Sequence, residues 1–185
     1  MILFNHTSDA YVFDATLNGG ADNAAGSGTG VVGSGLVDAI AGRTILNADH
    51  GDFTGVMQAR DGGILQINGD VSGGIASVLA GGRLEGNGFV GNTVNAGTIA
   101  PGTSIGTLTV VGDYTGNGGL LETEAVLGAD SSPADLLVVT GNTSGSTDVR
   151  VINLGGTGAL TIADGIRIVD VGGTSGGAFS LLGDY

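Results

Sequence analysis

Thr107-Leu108-Thr109-Val110-Val111, closed by Gly112-Asp113, and Leu136-Leu137-Val138-Val139, closed by Thr140-Gly141-Asn142, state the same pattern twice. A short Val/Ile/Leu/Thr run ending in Gly, Asn or Asp is how a strand followed by a tight turn is written. The pattern recurs along the chain as Tyr11-Val12-Phe13, Thr44-Ile45-Leu46, Gly63-Ile64-Leu65-Gln66-Ile67, Asp148-Val149-Arg150-Val151-Ile152 and Ile166-Arg167-Ile168-Val169. Between the runs stand Asn18-Gly19-Gly20, Asn68-Gly69-Asp70, Gly116-Asn117-Gly118-Gly119 and Gly155-Gly156. Only Gly35-Leu36-Val37-Asp38-Ala39-Ile40-Ala41-Gly42 suggests a helical turn, one too short to be stable alone. The chain is therefore expected to be all-β.

Composition narrows the architecture. Aromatic residues make up 4% of the chain, so the core must be built from Val, Ile, Leu, Ala and Thr. A sandwich or closed barrel normally fills its centre with larger rings, whereas a solenoid needs only a slim aliphatic spine. The apolar patches return at loosely 20 to 25 residues, within the range of rung periods in β-solenoids. Each rung would bury its inner face only against its neighbours. With 39 glycines among 185 residues, such a chain needs a dense main-chain hydrogen-bond ladder to offset its backbone entropy. These features predict a parallel β-helix, one polypeptide strand wound into a single-stranded stack of coils. The abrupt ending at Leu181-Leu182-Gly183-Asp184-Tyr185, inside an apparent strand, leads to the expectation that one or both ends continue in a longer parent.

The same numbers exclude several functions. The net charge is −13, with five arginines (Arg43, Arg60, Arg83, Arg150, Arg167) far apart in sequence and no lysine, which argues against nucleic acid or an anionic membrane as partner. Without cysteine there is no disulfide, thiolate metal site or cysteine nucleophile. No apolar run approaches the roughly 18 residues of a membrane-spanning helix. Met1-Ile2-Leu3-Phe4-Asn5-His6 lacks the basic and apolar regions of a signal peptide.

From Asn92 onward the chain resembles a known family. Asn95-Ala96-Gly97-Thr98-Ile99-Ala100-Pro101-Gly102-Thr103-Ser104-Ile105-Gly106-Thr107-Leu108-Thr109-Val110 is similar to a signature of pertactin-like autotransporter passenger domains. Gly112-Asp113-Tyr114-Thr115, Ser132-Pro133-Ala134-Asp135-Leu136-Leu137-Val138-Val139-Thr140-Gly141, Gly155-Gly156-Thr157-Gly158-Ala159 and Ile166-Arg167-Ile168-Val169-Asp170-Val171-Gly172-Gly173 follow in the family's order. The resemblance implies a right-handed parallel β-helix of the type V secretion pathway. It divides the chain into upstream rungs over residues 1–91 and an autochaperone, or junction, region over 92–185, in one continuous solenoid. It also implies partners: upstream passenger rungs, and a C-terminal outer-membrane β-barrel translocator in the parent protein. The implied location is the bacterial cell surface or outer membrane, or the medium after release.

The expected work of the fragment is to fold stably and to seed the coils before it. Inward-facing aliphatics Ile105, Leu108, Val110, Leu137, Val139, Val151 and Ile168 would form the seed. Asn95, Gly97, Pro101, Gly102, Ser104 and Gly106 would form the signature turn. The alternative is an adhesin module whose outer Thr, Asn and Asp ladders bind host glycans or proteins.

Enzymatic readings are weaker. Gly28-Thr29-Gly30-Val31-Val32-Gly33 fits G-x-G-x-x-G but lacks the preceding strand and following helix of a dinucleotide site, so it reads as a turn. Asp49-His50-Gly51-Asp52 is the one place with a histidine among carboxylates, and reads first as a solvated turn. Glu122 and Glu124 would share one strand face, as glycosidase acids might, or simply as exposed polar residues. A polysaccharide lyase would need clustered cations or calcium, and neither a basic cluster nor G-G-x-G-x-D is found. The expectation is a non-enzymatic protein with no cofactor and no catalytic or metal-binding residues.

Overall fold

A computed structural model describes residues 1–17 and 35–183; the glycine motif at 28–33 and the turn at 18–20 lie outside them. The described residues contain sixteen strands and no helix, and every pairing between named strands is parallel. The fold is a parallel β-helix. Its strands stack in three columns.

The first column runs through β1 (Ile2–Asn5), β3 (Leu36–Ala41), β5 (Val56–Ala59), the second half of β7 (Asp70–Val78), β9 (Phe89–Asn95), and the starts of β12 (Tyr114–Ala125) and β14 (Thr143–Asn153). The second holds β2 (Tyr11–Val12), β4 (Arg43–Leu46), β6 (Ile64–Ile67), β8 (Arg83–Gly86), β10 (Thr98–Pro101) and the later parts of β12 and β14. The third begins with the first residues of β7 and β9 and continues through β11 (Thr107–Val110), β13 (Leu136–Val139) and β15 (Val169–Val171). The last strand, β16 (Ala178–Leu181), pairs with β14.

Strand alternation sends every second side chain inward, and parallel register stacks like on like. Thr44, Leu65, Leu84, Ile99, Leu121 and Val149 form one interior column. Val71, Val90, Val110, Val139 and Val171 form another. The aliphatic spine is thus a set of ladders, each side chain covered by the coil above and the coil below.

The period is irregular for a structural reason. Residues in register are 35 apart between β1 and β3, 20 or 21 apart between β3 and β5 and between β4 and β6, and 15 apart between β8 and β10, but 28 or 29 apart between β12 and β14 and 32 apart between β13 and β15. The extra length is looped out at the turn around 126–134 and in the exposed excursion through Leu160 and Ile162. That excursion is tied down by the Asp130 carboxylate, which accepts N–H bonds from Ile162 (2.8 Å), Ala163 (3.1 Å) and Gly165 (2.8 Å). Those bonds hold its pKa below the usual carboxylate range.

Residues 35–42 differ from the expected helical turn. They form β3, whose backbone pairs with β1 on one side and β5 on the other. Two neighbouring strands satisfy more backbone groups than a single helical turn can, so sheet wins. Corner glycines explain much of the glycine content: at Gly63 and Gly82 an added Cβ would collide with the carbonyls of Ala39 and Ala59 in the preceding coil.

Candidate functional site

The signature turn lies where β10 ends and β11 begins. Gly102 has φ +85°, a left-handed conformation that favours glycine, and its N–H and C=O exchange hydrogen bonds with Gly86 of the preceding coil (2.8 and 3.1 Å). Asp135, 2% exposed, clamps the turn from the following coil: its carboxylate accepts the Gly106 N–H (2.9 Å) and the Glu124 N–H (2.7 Å). Burial raises the Asp135 pKa, with the two N–H bonds pulling the other way. On the opposite side Asn87 Oδ1 accepts the Thr107 N–H (3.2 Å). Three successive coils therefore hold this turn.

Asn95, the first residue of the signature, is fully buried. Its Oδ1 accepts the Gly97 N–H (3.1 Å), while Nδ2 donates to the Leu120 carbonyl (3.2 Å) and to Tyr114 Oη (3.1 Å). Tyr114 Oη also lies 2.8 Å from Thr147 Oγ1. Burial raises the Tyr114 pKa, and the hydrogen bonds to Thr147 and Asn95 oppose that shift. The first column is aliphatic in the early coils (Val37, Met57 and Ala76) and turns polar at Thr93, Asn95 and Tyr114. A satisfied buried network of this kind specifies one packing more strictly than aliphatics do.

Beside the turn, an open cleft of about 220 Å³ is lined by Arg43, Arg83, Glu85, Glu122, Glu124 and Asp135, among others. Its charges form one chain. Arg43 Nε lies 2.8 Å from Glu85 Oε1, out of line for a hydrogen bond; Arg83 Nε is 2.7 Å from Glu85 Oε2; Arg83 Nη2 is 2.9 Å from Glu122 Oε1; Arg150 Nη1 is 3.5 Å from Glu122 Oε2. Burial works against the charge on Arg83, but its hydrogen bonds to Glu85 and Glu122 win and its pKa is raised. The two glutamates once weighed as catalytic acids therefore sit on the outer face of β12, with Glu122 engaged by two arginines.

Of the expected seed residues, Leu108, Val110, Leu137 and Val139 have no exposed surface. Val151 and Ile168 are partly buried and pack against the same core. Ile105 is a correction: it is 38% exposed. It falls in the turn before β11, and at odd parity, whereas the inward positions of β11 are the even-numbered Leu108 and Val110. Of the turn residues, Pro101 and Gly102 are buried, Ser104 is exposed and Gly97 and Gly106 are intermediate.

His50 is also unlike its first reading. It is 1% exposed rather than solvated, its Nδ1 accepts the Leu17 N–H (3.2 Å), and its ring lies 6.5 Å from that of Phe13. Its pKa is lowered by burial, with Asp49 opposing. Among the described residues no three His, Cys, Asp or Glu side chains are grouped to hold a metal ion. Sequence reading missed Arg83, Glu85, Asn87 and Tyr114 as parts of this site. Asp135 was legible only as part of a motif; a lone Asp two residues after Pro133, at the mouth of an aliphatic run, was the available signal.

The stacked coils, the buried polar network and the clamped turn define the class: a parallel β-solenoid. The family model for Autochaperone Domain Type 1 matches residues 89–185, and the chain belongs to that family, the autochaperone region of autotransporter passengers. It is 42% identical over 146 residues to the adhesin BmaC autotransporter of Brucella suis biovar 1 (strain 1330), covering 78% of this chain and 4% of that protein. It is 36% identical over 179 residues to the probable autotransporter YfaL of Escherichia coli (strain K12), covering 89% of this chain and 14% of that protein. Autotransporter adhesin AIDA-I of Escherichia coli matches at 44% over 79 residues, 42% of this chain and 6% of that protein. The chain thus spans a small part of the length of these relatives.

Proposed function

We propose that this segment forms the first stable coils of a bacterial autotransporter passenger and presents an edge onto which the upstream coils add. The work is done by packing and backbone pairing, without catalysis. What carries the reading is the coincidence of the family match from residue 89 with strand β9, which pairs backward to β7 and forward to β11 and β12. Solenoid folding is limited by forming the first pair of rungs, after which each coil adds to a ready edge. The parent protein would carry an outer-membrane β-barrel translocator, and the segment would reach the cell surface. Folding outside the pore would bias export in one direction.

In the parent passenger, Leu108→Asp places a charge at a fully buried position. The expected result is slowed surface display and loss of protease resistance. Normal display with normal resistance would count against the proposal.

An adhesive role is the second reading, favoured by two relatives that carry adhesin in their names. It is tested by binding of the isolated fragment to host cells or glycans.

A further inference from the structure

The chain has only five arginines, and three of them, Arg43, Arg83 and Arg150, converge on one outer face although the sequence separates them widely. Two of them reach past the adjacent coil, whereas Arg150 on β14 meets Glu122 on the neighbouring β12. Arg43 on β4 reaches Glu85 on β8, passing over β6; Arg83 on β8 reaches Glu122 on β12, passing over β10. Strands are about 4.8 Å apart and each glutamate is offset two residues along its strand, so the backbones of each pair are about 12 Å apart, within reach of an extended arginine and a glutamate together. The coils passed over leave room: Ala100 is in register with Glu85, and Gln66 with Glu85 on the other side. Both carboxylates are shared between two arginines and largely shielded, with 8% of the Glu85 side chain and 18% of that of Glu122 exposed.

We propose that the Arg83–Glu122 pair is the register key by which the seed accepts the upstream coils, with Glu122 as a positioning residue. This rests on the seeding reading above. The family match begins at residue 89, so Arg83 is upstream of it and Glu122 within it. Aliphatic ladders select poorly among registers, because a slip of two residues, or addition of the wrong coil, still places Val or Leu against Leu. A slip of one residue exposes the core and is rejected anyway. A pair that skips one coil closes only when the coil between is present and correctly placed. Because β10, the coil between, lies within the matched residues, the pair checks the placement of the added β8 coil against two coils of the seed at once, which neighbouring contacts cannot do. The net gain in stability from such a pair is small, as for most partly exposed ion pairs, so its effect falls on the choice of register and on the rate of correct addition.

The experiment is refolding of the 185-residue chain from urea, followed by pulse-labelled hydrogen exchange, in Glu122→Gln, Arg83→Gln, the double variant and Arg150→Gln. Glutamine keeps the shape of glutamate, so the fold is retained. Glu122→Gln is expected to lengthen roughly three- to tenfold, at low salt, the interval between protection of the β11 and β13 amides and protection of those of β3 to β6, with the appearance of the former changed less than about twofold, since the pair closes after the seed has formed and acts on the addition of upstream coils. The double variant lengthens that interval no more than Arg83→Gln does, and the effect of Glu122→Gln shrinks at about 1 M salt. Arg150→Gln, which alters a pair within the seed, leaves that interval within about twofold. The proposal is overturned if Glu122→Gln leaves that interval unchanged, or if Arg150→Gln lengthens it equally. Either result leaves the seeding reading standing. Protection of the upstream coils before the C-terminal ones would remove the seeding reading itself, whatever the variants do.

Discussion

Replacing Leu108 by alanine tests the stacked-ladder account of stability most simply. Leu108 has no exposed surface, is in register with Leu137 of the next coil, and through it with Val169 of the coil after. The three carbons removed are worth about 2.4 kcal/mol at about 0.8 kcal/mol each. A cavity term adds to this, because the neighbours are fixed by main-chain ladders at strand spacing and cannot slide in to fill the gap. The expected loss is about 3 to 4 kcal/mol, within the range for buried leucines and a large share of a typical domain stability of about 5 to 15 kcal/mol. Ile105→Ala, three residues before Leu108 in sequence and 38% exposed, should cost under about 1 kcal/mol. Urea titration read by circular dichroism measures both, with an unchanged slope showing that the unfolded state is the same. Equal losses for the two variants, or less than about 1.5 kcal/mol for Leu108→Ala, would refute the reasoning.

Asp135→Ala leaves the Gly106 and Glu124 N–H groups without their carboxylate, and should cost about 2 to 3 kcal/mol in the same titration; Asp135→Asn, which keeps one oxygen acceptor, should cost about half as much. His50 gives a pH dependence. Its folded pKa lies below the ordinary 6.5, so its contribution is complete above that value and is lost as pH falls through the folded pKa, where the unfolded chain binds the extra proton. The urea midpoint should therefore drop more between pH 7.5 and 5.5 in the parent chain than in His50→Gln; parallel curves would contradict this.

The strands were legible because alternation and turn residues are local properties, and the slim core because ring content is a composition property. Leu108, Val110, Leu137 and Val139 could be placed inward from their runs alone. Ile105 could not, because hydrophobicity was read without the phase of the strand that follows. The segment 35–42 looked helical because its apolar residues Leu36, Val37, Ala39 and Ile40 also suit a helical spacing; the neighbouring strands that decided the matter lie elsewhere in sequence. The charge ladder was invisible for the same reason. Arg83 and Glu122 meet only once two coils have been wound, and the irregular coil lengths prevent simple counting from aligning them. Asn95 was recognised as part of a signature, but its buried bonds to Tyr114 and to the Leu120 carbonyl depend on the coil that follows.

The order in which coils form is the central claim, and pulse-labelled hydrogen exchange during refolding of the 185-residue chain measures it. The account predicts that the amides of β11 and β13, at Leu108, Val110, Leu137 and Val139, become protected first, and that those of β3 to β6 follow. Protection of the β3 to β6 amides first, or of all coils at one rate, would contradict it.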